Sequence, residues 1–330
     1  MGIRIKGTGS YLPERVLTNA DLEKMVETSD EWIRSRTGIE ERHLAAPGEA
    51  TSDIGLKASQ RALAAAGVEG SQLDAILVAT ITPDHNFPST ACILQRHLGA
   101  QGAFCCDLEA ACTGLIYSLE VAYALMKVNP GRYRRVLVLG AETLSSIVNW
   151  EDRNTCVLFG DGAGALVLVN DGDESTPDFM VSSDVHADGN YTDILMLPAG
   201  GSRIPASAES VAQKLHGIQM AGKDVFKLAV NAMVSSSKAV LEQAGVAESQ
   251  LSYVVPHQAN YRIISAVAQR LDVPDDRVYM NVNRCGNTSA ASIGICLDEL
   301  ALANKLNKDD FVLLTAFGGG LTWGAMLIRW

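Results

Sequence analysis

Ser59–Leu73 reads SQRALAAAGVEGSQL, and Ser237–Leu251 reads SKAVLEQAGVAESQL. Each predicts a helix that ends at Ala-Gly-Val, followed by a Ser-Gln-Leu turn into an apolar strand. The two segments begin 237 − 59 = 178 positions apart. A weaker correspondence sets Arg135–Gly140 (RVLVLG) against Phe311–Ala316 (FVLLTA), and a third sets Cys112-Thr113 against Asn287-Thr288. Three matches in one order predict a chain made of two duplicated βα halves. Halves packed about a pseudo-twofold axis bring equivalent positions together, so Cys112 and Asn287 are expected to face one site.

Composition agrees with that reading. The chain has 330 residues, the length of about two domains or one large duplicated one. Hydrophobic side chains make up 47% and charged ones 20%, which is ample for a core and excludes a disordered chain. Apolar runs alternate with helical stretches throughout, predicting an α/β fold. Strands are expected at Ala75–Thr80, Ala103–Leu108, Arg135–Leu139, Ala165–Val169, Tyr253–Val255, Val278–Val282, Phe311–Ala316 and Trp323–Ile328. A polar, turn-rich break at 170–175 sets the halves at 1–172 and 173–330, and the stretch 199–212 reads as a surface loop.

The formal net charge of −11 argues against a nucleic-acid or anionic-membrane binder, since both demand a basic surface. An acidic partner on a local basic patch stays compatible. No run approaches the roughly 18 apolar residues of a membrane span, and the N-terminus lacks a signal-peptide core. The seven cysteines form an odd set without a CxxC pair, so neither a disulfide framework nor a zinc site is expected. No other spacing supports a metal, and a reduced, cytoplasmic setting follows.

Cys112 lies in Glu109–Gly114 (EAACTG), between a strand and a helix over 113–127 that is apolar almost all round and should be buried. A thiol there meets free N–H groups and the positive end of the helix dipole, which favour the nucleophilic thiolate. The plainer alternative is an inert core thiol. Cys105 and Cys106 read as core. His257 follows a buried strand at its carboxyl end, where α/β proteins place their sites, although a structural histidine fits too. Asn287 offers an amide that donates hydrogen bonds but cannot act as a base, and asparagine is also a common helix N-cap. Gly160–Ala165 matches G-x-G-x-x-A by letter, yet a strand follows, so a tight turn replaces the dinucleotide reading. Phe317–Gly320, between two strands, can bring a backbone N–H close to an oxyanion. A cysteine, a histidine, an amide and a glycine loop together fit acyl transfer through a thioester.

With these stand Gly7–Pro13 (GTGSYLP), Thr28–Ile39 (TSDEWIRSRTGI), Phe159–Ala165 (FGDGAGA), Pro256–Asn260 (PHQAN), Gly286–Ser292 (GNTSAAS) and Ala316–Gly320 (AFGGG). Across essentially its whole length the chain resembles the β-ketoacyl-acyl carrier protein synthase III family, the initiating condensing enzymes of fatty-acid synthesis. The resemblance implies a thiolase-like fold of two halves in five αβαβα layers, a homodimer, and a Cys112-His257-Asn287 triad. It implies an oxyanion hole from the N–H groups of Cys112 and Gly319. For coenzyme A it implies Trp32 and Arg153 about the adenine and Arg36 at the phosphates. Phe87, Phe317 and Gly222 are implied for the acyl pocket and tunnel, with Phe87 closing the pocket of a partner subunit. Arg262, Lys227, Arg270 and Gln258 are implied for binding acyl carrier protein. Acyl-CoA is then a substrate, short and most simply acetyl-CoA, and no cofactor is implied.

Other readings stay open on sequence alone. Condensing enzymes or acyltransferases of secondary metabolism share the scaffold and triad. A cysteine hydrolase would want glycine where Ala110 stands, and a degradative thiolase would need a second catalytic cysteine that neither Cys285 nor Cys296 supplies.

Overall fold

The computed structural model describes residues 2–170, 172–173 and 175–330. Its strands are β1 Ile3–Tyr11, β2 Arg15–Thr18, β3 Glu41–Leu44, β4 Ala75–Ala79, β5 Phe104–Leu108, β6 Arg135–Glu142 and β7 Gly162–Asn170. They continue with β8 Met180–Ala187, β9 Leu195–Met196, β10 Gln219–Met220, β11 Leu251–Pro256, β12 Phe311–Gly318 and β13 Thr322–Arg329. The helices are α1 Asn19–Leu22, α2 Asp30–Thr37, α3 Thr51–Ala66, α4 Thr90–Leu98 and α5 Gly114–Val128. The later ones are α6 Ala208–Ala212, α7 Gly222–Ala244, α8 Tyr261–Arg270, α9 Val282–Cys285 and α10 Ala291–Leu302.

The repeat is structural. Helices α3 and α7 each end on a left-handed glycine, Gly67 at φ 65 and Gly245 at φ 64. In both, the next N–H, of Val68 or Val246, bonds back to the carbonyl of Leu63 or Leu241, a Schellman close. Gln72 and Gln250 then accept the N–H of Glu69 and Ala247, each at 2.9 Å, holding a short 3-10 turn before β4 and β11.

Two sheets carry the fold. One runs β1-β7-β6-β4-β5, the other β8-β13-β12-β11. In both, one pair is parallel (β4 with β6, β11 with β12) and the next is antiparallel (β6 with β7, β12 with β13). The expected strand Val278–Val282 would fill the fifth place. Only a single parallel bridge, Val254 to Val278, forms there, because Val282 turns into α9. The other expected strands are present, several extended by a few residues.

Helices α5 and α10 lie between the sheets: Leu115, Ile116 and Leu119 of α5 share one core with Ile293, Cys296 and Leu297 of α10 and with Val138, Leu166, Leu314 and Met326 from both sheets. Helices α3 and α4 cover the outer face of the first sheet, and α7 and α8 that of the second. This is the five-layer αβαβα, thiolase-like arrangement.

Three further expectations are corrected. Gly162–Ala165 belongs to β7 rather than to a turn, since glycines at 162 and 164 let α10 lie against the strand. Helix α5 is buried on one face only, with Val121 and Val128 exposed. By length and composition 111–128 is the one helix among the described residues able to cross a membrane, but its buried face packs between sheets. Cys105 and Cys106 are half-buried in the edge strand β5. The stretch 199–212 is largely exposed as expected, closing with α6. Of the break at 170–175, Asp171 and Glu174 lie outside the described residues.

Candidate active site

Two tight bends aim the site. Ala111, at φ 44, and Ser289, at φ 47, are non-glycine residues in the left-handed region just before α5 and α10. They lie 289 − 111 = 178 positions apart, the offset of the helix repeat, so the structural mate of Cys112 is Ala290. Asn287 is therefore not the symmetry partner of Cys112, contrary to the third sequence correspondence. Nor does it cap α10, whose N-cap is Ala290.

Cys112, His257 and Asn287 nevertheless line one cavity of 620 Å³, together with Trp32, Arg36, Gly222, Lys223, Arg262 and Phe317. A second cavity, of 1510 Å³, also reaches Cys112 and is lined by Phe87, Ser145, Leu197, Ser289 and Gly319 among others. The nucleophile thus stands where two cavities meet. A Cβ on Gly318 would come within 2.7 Å of the Cys112 nitrogen, so only glycine lets the end of β12 approach it.

The two polar partners are oriented by their neighbours. Ser292 Oγ lies 2.8 Å from His257 Nδ1 and also accepts the Gln258 N–H at 3.4 Å, so its hydrogen is available to Nδ1. With Ser292 donating, the ring proton stands on Nε2 and is a donor for the cavity that His257 lines. Asn287 Oδ1 accepts the Ser289 N–H at 2.9 Å, which turns the Nδ2 donors outward. Both side chains are buried.

Burial lowers His257 to about 3, so its imidazole is neutral. Burial also pushes the Cys112 thiol up to about 12, with the nearby Glu142 carboxylate adding to the effect and the Ser289 hydroxyl opposing it. Desolvation thus opposes the thiolate expected from the helix start, beside a neutral imidazole. Glu142 was not singled out from sequence. It ends β6, is fully buried, and its Oε2 accepts from Thr82 Oγ1 at 2.7 Å, Ile81 N–H at 3.1 Å and Thr80 Oγ1 at 3.2 Å. A carboxylate closing the apolar run RVLVLGAE was the signal available. Among the described residues no group of His, Cys, Asp and Glu is arranged to hold a metal.

Family profiles described as 3-oxoacyl-[acyl-carrier-protein (ACP)] synthase III and its C-terminal part match residues 106–189 and 241–330. A β-ketoacyl-[acyl-carrier-protein] synthase III of Caldanaerobacter subterraneus is 53% identical over 326 residues, covering 99% of this chain and 97% of the relative. The chain belongs to the β-ketoacyl-acyl carrier protein synthase III family. As a member it is a condensing acyltransferase that initiates fatty-acid synthesis. The crystal structure of 3-oxoacyl-[acyl-carrier-protein] synthase III from Aquifex aeolicus shares the thiolase-like fold at TM-score 0.90 and 45% identity, each chain covered in full. The priming β-ketosynthase of the R1128 polyketide pathway reaches TM-score 0.89 at 33% identity, covering 99% of this chain and 96% of its own.

Within that family frame, the remaining sequence-derived residues fall unevenly. Gln258 is fully buried, its amide bonded to the Pro256 and Tyr279 carbonyls and to the N–H groups of Asn281 and Val282. It cannot touch a carrier protein, and its role is to tie the His257 loop to α9. Arg262, Lys227 and Arg270 are exposed, the last bonded to Asn231 of α7 at 2.6 Å. Arg36 and Arg153 both sit 5.0 Å from the Trp32 ring centroid. An adenine sandwich is not preformed, because Arg153 already covers the indole. Phe87 is 86% exposed and lines the larger cavity, whereas Phe317 and Gly222 line the smaller one.

Proposed function

We propose that Cys112 is acylated by a short acyl-CoA, most simply acetyl-CoA, and that the acyl group is condensed with malonyl-acyl carrier protein. The observation that carries this reading is one cavity wall holding Cys112 beside two side chains, His257 and Asn287, whose neighbours turn their donors toward it. Acyl-CoA enters past Trp32 and Arg36, with Arg153 moving off the indole to admit adenine. The Cys112 sulfur attacks the thioester carbonyl while the N–H groups of Cys112 and Gly319 hold the oxyanion, and CoA leaves. Malonyl-acyl carrier protein then settles on Arg262, Lys227 and Arg270, a basic patch on a chain of net charge −11. Loss of CO2 leaves an enolate that His257 Nε2 and Asn287 Nδ2 stabilise by hydrogen bonds, and its carbon attacks the acyl-Cys112 thioester. No cofactor beyond the two substrates enters these steps.

The halves 1–172 and 173–330 each supply one sheet. A homodimer is supported by the open edge of β5, half-exposed along its length, and by exposed Phe87, which would complete the larger cavity of a second copy. We place the enzyme in the cytoplasm. The closer likeness to fatty-acid enzymes than to the polyketide priming enzyme supports primary synthesis over a specialised pathway.

Intact-protein mass spectrometry after brief exposure to a panel of acyl-CoAs tests the reading, with Cys112→Ala alongside and a malonyl-acyl carrier protein chase. An acetyl label that is absent in the variant and discharged by the chase is expected. A label that the chase leaves in place moves the enzyme to the specialised acyltransferases.

A further inference from the structure

A fully buried carboxylate stands behind the nucleophile with one oxygen unpaired. Glu142 Oε2 takes three hydrogen bonds from the segment after β4, but Oε1 is buried without a partner, and so is the Ser289 hydroxyl. Two orphaned polar atoms in one native core need an explanation. Ser289 is held at φ 47 by the bend before α10. Its hydroxyl acts on the Cys112 thiol and on the Glu142 carboxyl alike, drawing both downward. It stands within reach of both, on the wall of the larger cavity with Cys112. The groups facing Glu142 are Thr80, Ile81 and Thr82 after β4, Ser289 before α10, Gly162 across the β6–β7 ladder, and the Cys112 thiol before α5.

We propose that Glu142 is the proton store for Cys112, reached through the Ser289 hydroxyl. During acylation the Cys112 S–H proton passes to Ser289 Oγ as the Ser289 proton passes to Glu142 Oε1. The sulfur–carbonyl bond forms, the bond to CoA breaks, and the CoA thiolate takes a proton from water. In condensation the new C–C bond forms, the Cys112–acyl bond breaks, and the freed thiolate recovers its proton from Glu142 by the same route. The cycle balances with one proton drawn from water for each CO2 released. His257 serves this purpose poorly. Burial holds its imidazole near 3, whereas burial raises Glu142 to about 7, so the transfer to Glu142 is the less uphill one. Storing the proton on Glu142 has a second effect: the site carries no buried carboxylate of its own while the malonyl carboxylate and the enolate occupy it.

This inference rests on the acyl-Cys112 reading, and its test separates the two. Glu142→Gln keeps the size and the hydrogen bonds to Thr80, Thr82 and Ile81 but cannot take a proton. Rapid-quench mass spectrometry should find acetylation of Cys112 slowed at least thirtyfold at neutral pH, without the inflection near 7 of the parent. Decarboxylation of malonyl-acyl carrier protein, which needs no proton from Cys112, should keep its rate. Ser289→Ala should reproduce the acylation defect, and alanine tolerates such a bend, as Ala111 does at φ 44. Acetylation within threefold of the parent with an unchanged pH profile overturns the relay. So does a parallel loss of acetylation and decarboxylation, which marks a structural role. If the parent itself takes no label, the acyl-Cys112 reading fails and the relay with it.

Discussion

Asn287 is a residue whose two amide atoms do different things. Its Oδ1 is fixed by the Ser289 N–H at 2.9 Å, and its Nδ2 is the free donor. Asn287→Asp keeps the acceptor and replaces the donor by an anion. Condensation should fall about 100- to 1000-fold, the cost of losing an oxyanion-type donor, while acetylation of Cys112 falls less than tenfold. Single-turnover assays of each half-reaction measure the split, and equal losses would remove Asn287 from the enolate step. Two buried groups also set the pH dependence of stability. Glu142 is raised from 4.5 to about 7, so its contribution is full below 4.5 and lost as pH rises toward 7, about 3 kcal/mol in all. His257 is lowered from 6.5 to about 3, so its contribution is full above 6.5 and lost as pH falls. Melting temperature should be flat between roughly 4.5 and 6.5, where the two oppose, and decline on either side. Glu142→Gln should remove the loss between pH 4.5 and 7, so its melting temperature keeps rising to about pH 6.5 where the parent's is flat; curves that stay parallel from pH 4.5 to 7 would contradict this. The sequence made Cys112, His257 and Asn287 legible because their neighbours form short, distinctive strings. It did not reveal the state of the thiol, because desolvation depends on what closes over Cys112 and not on its place in the chain.

The central helices approach the strands backbone to backbone. A Cβ on Gly164 of β7 would stand 2.4 Å from the Ile295 nitrogen, and one on Gly140 of β6 would stand 2.2 Å from the Ala290 oxygen. Backbone cannot swing aside as a side chain can, so Gly164→Ala should cost about 3 kcal/mol or more, at the upper end of overpacking. Thermal melts should show a drop of several degrees or loss of soluble protein. Gly131→Ala, with open space around its Cβ, is the control that should melt with the parent. The same packing explains what the sequence hid. Gly7 and Gly9 interrupt β1 because Cβ atoms there would strike the Ala66 and Ala62 nitrogens of α3, and a glycine-broken run does not read as a strand. Strand β8 pairs on one side only and mixes Ser182, Ser183 and Asp184 with apolar residues, which blurs its alternation. Strands β4, β6, β12 and β13 were legible because burial on both faces leaves them almost wholly apolar.

For the whole molecule, the duplicated halves explain the sheet order but not the size of the larger cavity. At 1510 Å³ it is far roomier than an acetyl group needs, and water inside it would hydrolyse an acyl-Cys112 thioester. Phe87 lines that cavity with 86% of its surface exposed. In the proposed homodimer Phe87 of each subunit would fill the cavity of the other and set primer length across the interface. Homodimers of Phe87→Ala should accept longer acyl-CoAs and lose acetyl-Cys112 to hydrolysis faster than the parent. Mixed dimers with Cys112→Ala distinguish the subunits. In such a dimer the only reactive thiol belongs to the Phe87→Ala chain, and the only Phe87 belongs to the Cys112→Ala chain. If Phe87 works across the interface, the mixed dimer regains the short-primer preference and the slow hydrolysis of the parent. If it behaves like the Phe87→Ala homodimer, Phe87 acts on its own chain and the subunits are independent.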